Sequence, residues 1–259
     1  MNILFIGDIF GSPGRKIIQE ELPRLKEEFS ADITIANGEN VAHGKGITEK
    51  TALPLFDAGI DVFTSGNHLW DKRESLDYLK IEKRIIKPLN AMAKTIGHDR
   101  FFKTAPNGEK LAIICLIGQA FMPPIDSPLN TLEKILPEIR KETNNILVDF
   151  HAEATAEKRA IGYYFDGRIS ALIGTHTHIQ TADEEILPNG SGYITDVGMT
   201  GPHDSVIGMK KEIILEKMTT GMPQKFDVAD DGLQINAVFL KIDEKTGKTL
   251  EIKRIRRKY

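Results

Sequence analysis

The sequence predicts an α/β fold in which a parallel sheet carries appended antiparallel strands. Three observations predict it. Apolar, β-branched runs alternate with helical segments through the first half, the rhythm of βαβ units. Two late segments read as hairpins. Five apolar runs stop at residues with oxygen or nitrogen donors, and an open α/β sheet gathers ligands outside the carboxyl ends of its strands.

Residues 2–7 read as a strand, 15–29 as a helix, 32–36 as a strand, 48–58 as a helix, 61–65 as a strand and 72–80 as a short helix. The runs 110–117, 145–150 and 169–174 are further strands. A helix near 128–141 separates the first two, and one near 154–164 the last two. EEILPNGSGYITDVG predicts a hairpin turning at Asn189-Gly190, since Asn-Gly supplies the positive φ that tight turns need. Residues 234–242 and 249–257 predict a second hairpin turning near Thr246-Gly247. Segments 87–108 and 198–233 lack a clear period and read as loops with short helices. The pattern fits one mixed sheet, or two sheets face to face with helices outside.

At 259 residues, 41% hydrophobic and 27% charged, the chain has the composition of a globular protein with a substantial core. Without repeat, low-complexity stretch or convincing linker, one domain spanning 1–259 is expected. A formal net charge of −3 gives no basis for binding duplex DNA. No apolar stretch approaches the ~20 residues that span a bilayer, so no membrane partner is expected. The start, MNILFIGD, lacks a basic n-region and a small-residue cleavage site, so no signal peptide is expected. The lone cysteine, Cys115 in LAIICLIG, cannot form an intramolecular disulfide and suits a buried apolar place in a reducing cytoplasm. Oligomeric state stays open, a homo-oligomer included.

The strand-end donors carry the chemistry. NILFIG runs into Asp8, DITIANG into Glu39 and Asn40, and DVFTSG into Asn67 and His68. ILVDF runs into His151, and ISALIGT into His176 and His178. Seven donors and a neighbouring histidine exceed one octahedral magnesium site; they suit two transition-type ions sharing a bridge. Each has a plainer alternative. Asp8 could cap the next helix. Asn37-Gly38-Glu39 could be a tight turn with a solvated glutamate. Asn67 could be an N-cap beside a packed histidine. Residues i and i+2 of an extended segment face the same way, so His176 and His178 could converge on one region. Thr175, Asp149 and Asp183 are candidates to fix the imidazole tautomers. His43 and His203, in Gly-rich loops, could line the crevice, whereas His98 reads as surface and Trp70 as packing. The basic cluster Lys253, Arg254, Arg256, Arg257 and Lys258 alternates with Ile252 and Ile255, as a solvated edge strand does.

These motifs, in this order, resemble the calcineurin-like metallophosphoesterase superfamily, and its YmdB-type branch over essentially the full length. The branch opens Gly-Asp-Ile-x-Gly-x-Pro-Gly-Arg, seen from Gly7 to Arg15, and carries Asn-Gly-Glu-Asn, seen from Asn37 to Asn40. The superfamily's Asp-x-His is here Asp8-Ile9-Phe10, and its bridging aspartate is here Glu39. Thr175, not the more usual glycine, precedes the first histidine of the closing motif. The resemblance implies a four-layer α-β-β-α sandwich with two mixed sheets and a dinuclear site at strand ends. It implies that Asp8, Glu39, Asn40 and His178 hold one ion, and Glu39, Asn67, His151 and His176 the other. The ions expected are iron or manganese, with zinc as a further fit.

It also implies a cytoplasmic phosphodiesterase acting on cyclic nucleotides, 2′,3′-cyclic forms included. On that expectation a metal-bridging hydroxide attacks phosphorus, and His68, close to the ions but unbound, serves the leaving ribose oxygen. Two rivals stand beside it. One changes the substrate to phosphomonoesters, phosphoproteins or RNA. The other is a regulatory protein that uses the metals to bind a phosphorylated ligand without turnover.

Overall fold

A computed structural model describes residues 1–259. In chain order the elements are β1 (Asn2–Ile6), β2 (Asp8–Ile9), α1 (Gly11–Glu28), β3 (Ile33–Asn37), α2 (Glu49–Asp57) and β4 (Val62–Thr64). After a 3₁₀ turn at Arg73–Ser75 come α3 (Leu76–Ile81), β5 (Arg100–Thr104), β6 (Lys110–Ile117), α4 (Pro128–Ile139), β7 (Ile146–His151), α5 (Thr155–Tyr164) and β8 (Ala171–Thr175). The chain closes with β9 (Glu185–Ile186), β10 (Gly192–Ile194), β11 (Met199–Pro202), α6 (Lys211–Thr220), β12 (Leu233–Asp243) and β13 (Lys248–Lys258).

The strands form two sheets, and period-2 alternation gives each strand one face toward the other sheet and one toward the helices. In the first sheet β1, β3 and β4 run parallel, with Ile3 opposite Ile33 and Ile35 opposite Val62. There β12 is antiparallel to β1 and hairpins onto β13, while β11 joins β12 to β2. The second sheet has the order β5-β6-β7-β8-β10-β9, with β6, β7, β8 and β10 parallel and the two edge strands reversed. One face of each strand feeds the layer between the sheets: Ile3, Phe5, Ile35 and Val238 from the first meet Ile113, Cys115, Leu147 and Ile173 from the second. The opposite residues face helices. Leu4, Ile6 and Phe63 pack with Ile17, Ile18 and Leu22 of α1 and Leu55 of α2. Ile114, Leu116 and Val148 pack with Leu132 and Leu136 of α4 and Ile161 of α5. Each fully buried Ile, Leu or Phe contributes about 1.5–3 kcal/mol. The result is the expected four layers, α-β-β-α.

The two hairpins form as expected, with Gly190 and Gly247 at positive φ. Cys115 is buried and unpaired. Trp70 packs on the first outer core and donates to the Ile96 carbonyl, and the basic cluster lies on the edge strand β13. Two segments read as loops contain strands: β5 lies within 87–108, and β11 within 198–233 along with α6. α1 begins four residues before the expected 15, because a first helical turn tolerates Pro13. No helix is long and apolar enough to cross a membrane.

Candidate metal centre

The first sheet supplies oxygen atoms. Asp8 opens β2 and is fully buried, but it caps nothing; α1 has Phe10 at its N-cap and no side-chain cap. One Asp8 oxygen, Oδ2, accepts the His176 N–H at 3.1 Å, while Oδ1 has no partner. Glu39 follows β3 in a turn fixed by Asn37, whose Oδ1 accepts the Glu39 N–H at 3.1 Å. Far from solvated, Glu39 is buried. Its Oε2 accepts the His68 N–H at 3.2 Å, and its Oε1 lies 3.1 Å from His151 Nε2. Asn40 donates from Nδ2 to the Gly44 carbonyl at 2.9 Å, leaving Oδ1 buried without a partner. The Oδ1 of Asn67, in the turn after β4, is orphaned in the same way. Here the chain passes so near the centre that a Cβ on Gly66 would stand 2.3 Å from both Glu39 Oε2 and His151 Nε2. Only glycine fits.

The second sheet supplies nitrogen atoms. His151 ends β7 directly opposite Thr175 at the end of β8. Thr175 donates its hydroxyl to Asp149 Oδ1 at 2.7 Å and lies 2.9 Å from His151 Nδ1. Having one proton, already given, Thr175 must accept from Nδ1–H, so Nε2 faces the centre. Asn37 Nδ2 donates to the other Asp149 oxygen at 3.0 Å, tying the relay to the first sheet. Of the three tautomer-fixing candidates, Thr175 and Asp149 act here; Asp183 instead binds Thr181 and Thr195. His178 donates from Nδ1 to the Ile207 carbonyl at 3.0 Å, which turns the Nε2 lone pair toward Asp8 Oδ2, 3.4 Å away. Two acceptors facing each other across that gap leave a place for a cation. His176 places Nδ1 3.0 Å from His151 Nε2 and Nε2 3.2 Å from Glu153.

The two closing histidines converge, but not by the expected route. β8 ends at Thr175, and His176 and His178 stand at φ 99° and 65°. The backbone turns back instead of continuing as a strand, at a steric cost outside glycine. A buried network holds it. Lys158 of α5 donates to the Thr175 carbonyl and to Asp196 Oδ2, both at 2.8 Å. The same Asp196 oxygen accepts the Thr177 N–H and hydroxyl.

Charge in the centre is set by burial and by close pairing. Burial pushes the Asp8 carboxyl well above its ordinary range, and neighbouring Glu39 reinforces this while His151 opposes it. Burial would also raise Glu39, but His151 and His68 outweigh it and hold the carboxyl at about 2. Burial disfavours charge on His151, yet Glu39 beside it lifts the imidazole to about 9. Burial and the adjacent His151 lower His176 to about 3, and burial lowers His178. Both are therefore neutral near pH 7, as metal-binding imidazoles must be, whereas His151 would have to release its Nε2 proton to an arriving ion.

The expected donors come together. Ligand atoms of Glu39, His151 and His176 all lie within 4.8 Å of one another. Asp8 and His178 face each other beside them, and Asp8, Asn40 and Asn67 each keep a buried oxygen without a hydrogen. Buried polar atoms are seldom left unpaired, so these residues fit cations with oxygen and nitrogen preferences and no need for thiolate. Beside them opens a cavity of about 320 Å³ lined by Glu39, His68, His176 and His178. His68 Nδ1 donates to Asp71 Oδ2 at 2.9 Å. His43 and His203 do not line this cavity; His203 Nε2 instead contacts the Met199 carbonyl. Sequence reasoning missed Lys158, Asp196, Asp71 and Glu153. Only Asp71, three residues after His68, carried a local signal.

The chain is similar to known proteins over its whole length. A 2′,3′-cyclic-nucleotide 2′-phosphodiesterase of Bacillus subtilis (strain 168) is 48% identical over 255 residues, 98% of this chain and 96% of its own. The crystal structure of a novel phosphatase from Mycoplasma pneumoniae superposes with a TM-score of 0.94 at 35% identity, covering 100% of this chain and 93% of that one. That of a hypothetical protein from Thermus thermophilus gives 0.93 at 38% identity, covering 100% and 99%. Matched from residue 4 to residue 255 by the description of the YmdB-like protein family, and similar to these relatives over its whole length, the chain belongs to the YmdB-like family.

Proposed function

We propose that this chain is a metal-dependent phosphodiesterase acting on cyclic nucleotides, 2′,3′-cyclic forms among them. The observation that carries the reading is that Asp8, Asn40 and Asn67, on the strand ends that meet the Glu39–His151–His176 cluster, each bury an oxygen with no hydrogen-bond partner. Whole-chain similarity to the B. subtilis phosphodiesterase supports the substrate class.

In this reading Asp8, Glu39, Asn40 and His178 hold one ion, and Glu39, Asn67, His151 and His176 hold the other. Without thiolate the set suits iron, manganese or zinc, its carboxylate and amide oxygens favouring manganese and its imidazoles iron or zinc. When bound, such ions lower the pKa of water and neutralise charge that builds on phosphoryl oxygens. The chain's own groups do the rest. Asp71 fixes His68 through Nδ1, so Nε2 is the nitrogen free to serve a leaving oxygen in the cavity. The bond from the His68 N–H to Glu39 ties that imidazole's backbone to the carboxylate that would bridge the ions. Thr175 and Asp149 hold His151 with Nε2 inward. A cytoplasmic setting belongs to the same reading.

The test combines elemental analysis of freshly purified protein with turnover of adenosine 2′,3′-cyclic phosphate, bis-p-nitrophenyl phosphate and the corresponding monoester. Diesters should be the faster substrates. His68→Ala should keep its metal and lose on the order of 10²–10⁴ in kcat. Metal-loaded protein that binds but does not turn over diesters would make the chain a binder, and faster monoester hydrolysis would make it a phosphatase.

A further inference from the structure

The cavity beside the metal centre has a second wall that the chemistry so far does not use. Phe10, Val206, Ile207, Met209, Ile214 and Phe226 line it, opposite in character to the polar donors. Phe10 is a buried floor, packed edge-on against His178 with ring centroids 5.4 Å apart. Ile207 and Phe226 are different: they remain 52% and 42% exposed.

Ile207 is the informative one. It stands at φ 48°, a conformation in which a β-branched residue is strained. The surrounding turn enforces it. Val206 and Met209 exchange backbone hydrogen bonds at 2.9 and 3.0 Å, and Ser205 Oγ accepts the Gly208 N–H at 2.9 Å. The turn delivers the Ile207 carbonyl to His178. That backbone task needs no side chain, and asparagine or glycine would perform it with less strain. Isoleucine instead keeps a large apolar group half in solvent, outside the core layers of the fold but on the wall of the metal cavity. Strain retained at a site without a packing return points to a ligand contact. Phe226 is braced from one side by Lys217, whose ammonium lies 4.6 Å from the ring centroid.

We infer that Ile207 and Phe226 form the nucleobase subsite of this enzyme. The inference rests on the phosphodiesterase reading above and adds where the base goes. A cyclic nucleotide joins a phosphate to a planar apolar ring, and the cavity joins an anion-seeking centre to a β-branched and aromatic wall. Its volume of about 320 Å³ lies within the ordinary range of small-molecule sites. Bases gain affinity by stacking on aromatic side chains. The subsite therefore selects nucleosides among small cyclic diesters.

The test compares adenosine 2′,3′-cyclic phosphate with ethylene phosphate, a five-membered cyclic diester without a base. Wild type should prefer the nucleotide in kcat/KM. Ile207→Asn tolerates the left-handed backbone, and Phe226→Ala removes the ring. Each should lower that preference by about tenfold, mainly through KM for the nucleotide. A preference unchanged in both variants overturns the inference, as does equal loss on both substrates. A change in oligomeric state with the preference intact would assign the wall to a second copy of the chain and overturn it too. Calorimetry with adenosine 3′-monophosphate and inorganic phosphate keeps the question separate from catalysis. If no diester is hydrolysed, the phosphodiesterase reading fails. Weaker binding of the nucleotide alone in the variants would then still support the subsite, and equal binding would remove it.

Discussion

The two halves of the candidate metal centre are built on opposite principles. Every oxygen donor comes from the seven-stranded sheet and its loops, and every nitrogen donor from the ends of β7 and β8 in the six-stranded sheet. The nitrogen half is fixed by protein alone, each ring through one nitrogen: His151 Nδ1 by Thr175, His178 Nδ1 by the Ile207 carbonyl, His176 Nε2 by Glu153. The oxygen half differs, since Asp8, Asn40 and Asn67 each bury an acceptor that nothing donates to. One half is set in place by the scaffold, while the other keeps acceptors that the proposed cations would complete. Imidazole rings need their tautomer and plane fixed before they can ligate. Carboxylate and amide oxygens accept from many directions and need only be held close.

The largest expected effect breaks the scaffolded half. Lys158 is buried and bound to Asp196 and the Thr175 carbonyl. Lys158→Met leaves Asp196 as an unpaired buried charge and should cost about 3–5 kcal/mol, read from urea unfolding in chelator. A cost below about 1 kcal/mol would show that the closing turn does not depend on this pair. Next comes removal of the ions. Metal that binds only the folded protein should contribute about 2.7 kcal/mol at a free concentration one hundred times its Kd. Chelation should therefore lower Tm, and an unchanged Tm would mean that the oxygen half is content without a cation. Thr175→Val removes the acceptor for His151 Nδ1 and should weaken metal binding roughly 10–100-fold, measured by competition with a chromogenic chelator. Unaltered affinity would show that the relay to Asp149 does not orient the ring. The smallest effect sharpens the contrast most. In chelated protein, Asn67→Leu should change stability by no more than about 1 kcal/mol, because replacing an unpaired buried acceptor by an apolar group removes its desolvation penalty. A larger loss would mean that Asn67 is held by protein after all.

The oxygen half was legible in the sequence because its members follow strands that end in short turns. Asp8, Glu39 and Asn67 are each one to three residues past an apolar run, and a strand terminus fixes where such a residue lies. The nitrogen half was legible in its residues but not in its geometry. Spacing suggested two histidines on an extended segment, whereas the chain turns through left-handed conformations that no local pattern announces. Their cause is Lys158 and Asp196, 38 positions apart, and a lysine on a helix reads like any solvated one until the fold buries it. The missed strands have the same explanation. β11, Met-Thr-Gly-Pro, has little strand propensity of its own and exists because β12 and β2 flank it. β5 is a half-buried edge strand whose Arg100 and Lys103 obscure its period. Four layers were foreseeable from the resemblance, and the residues supply the reason in the alternation of Ile3 and Phe5 against Leu4 and Ile6.

The close pass of Gly66 between Glu39 and His151 has a consequence for the sandwich as a machine. Those two side chains belong to different decks, and their separation is a direct reading of how far one deck has slid over the other. A volume change deep between the sheets, at Ile113 or Val238 for example, would displace that alignment before it unfolded anything. Catalysis would then fade in a protein that still melts as one piece, with the fault lying far from any group that touches substrate.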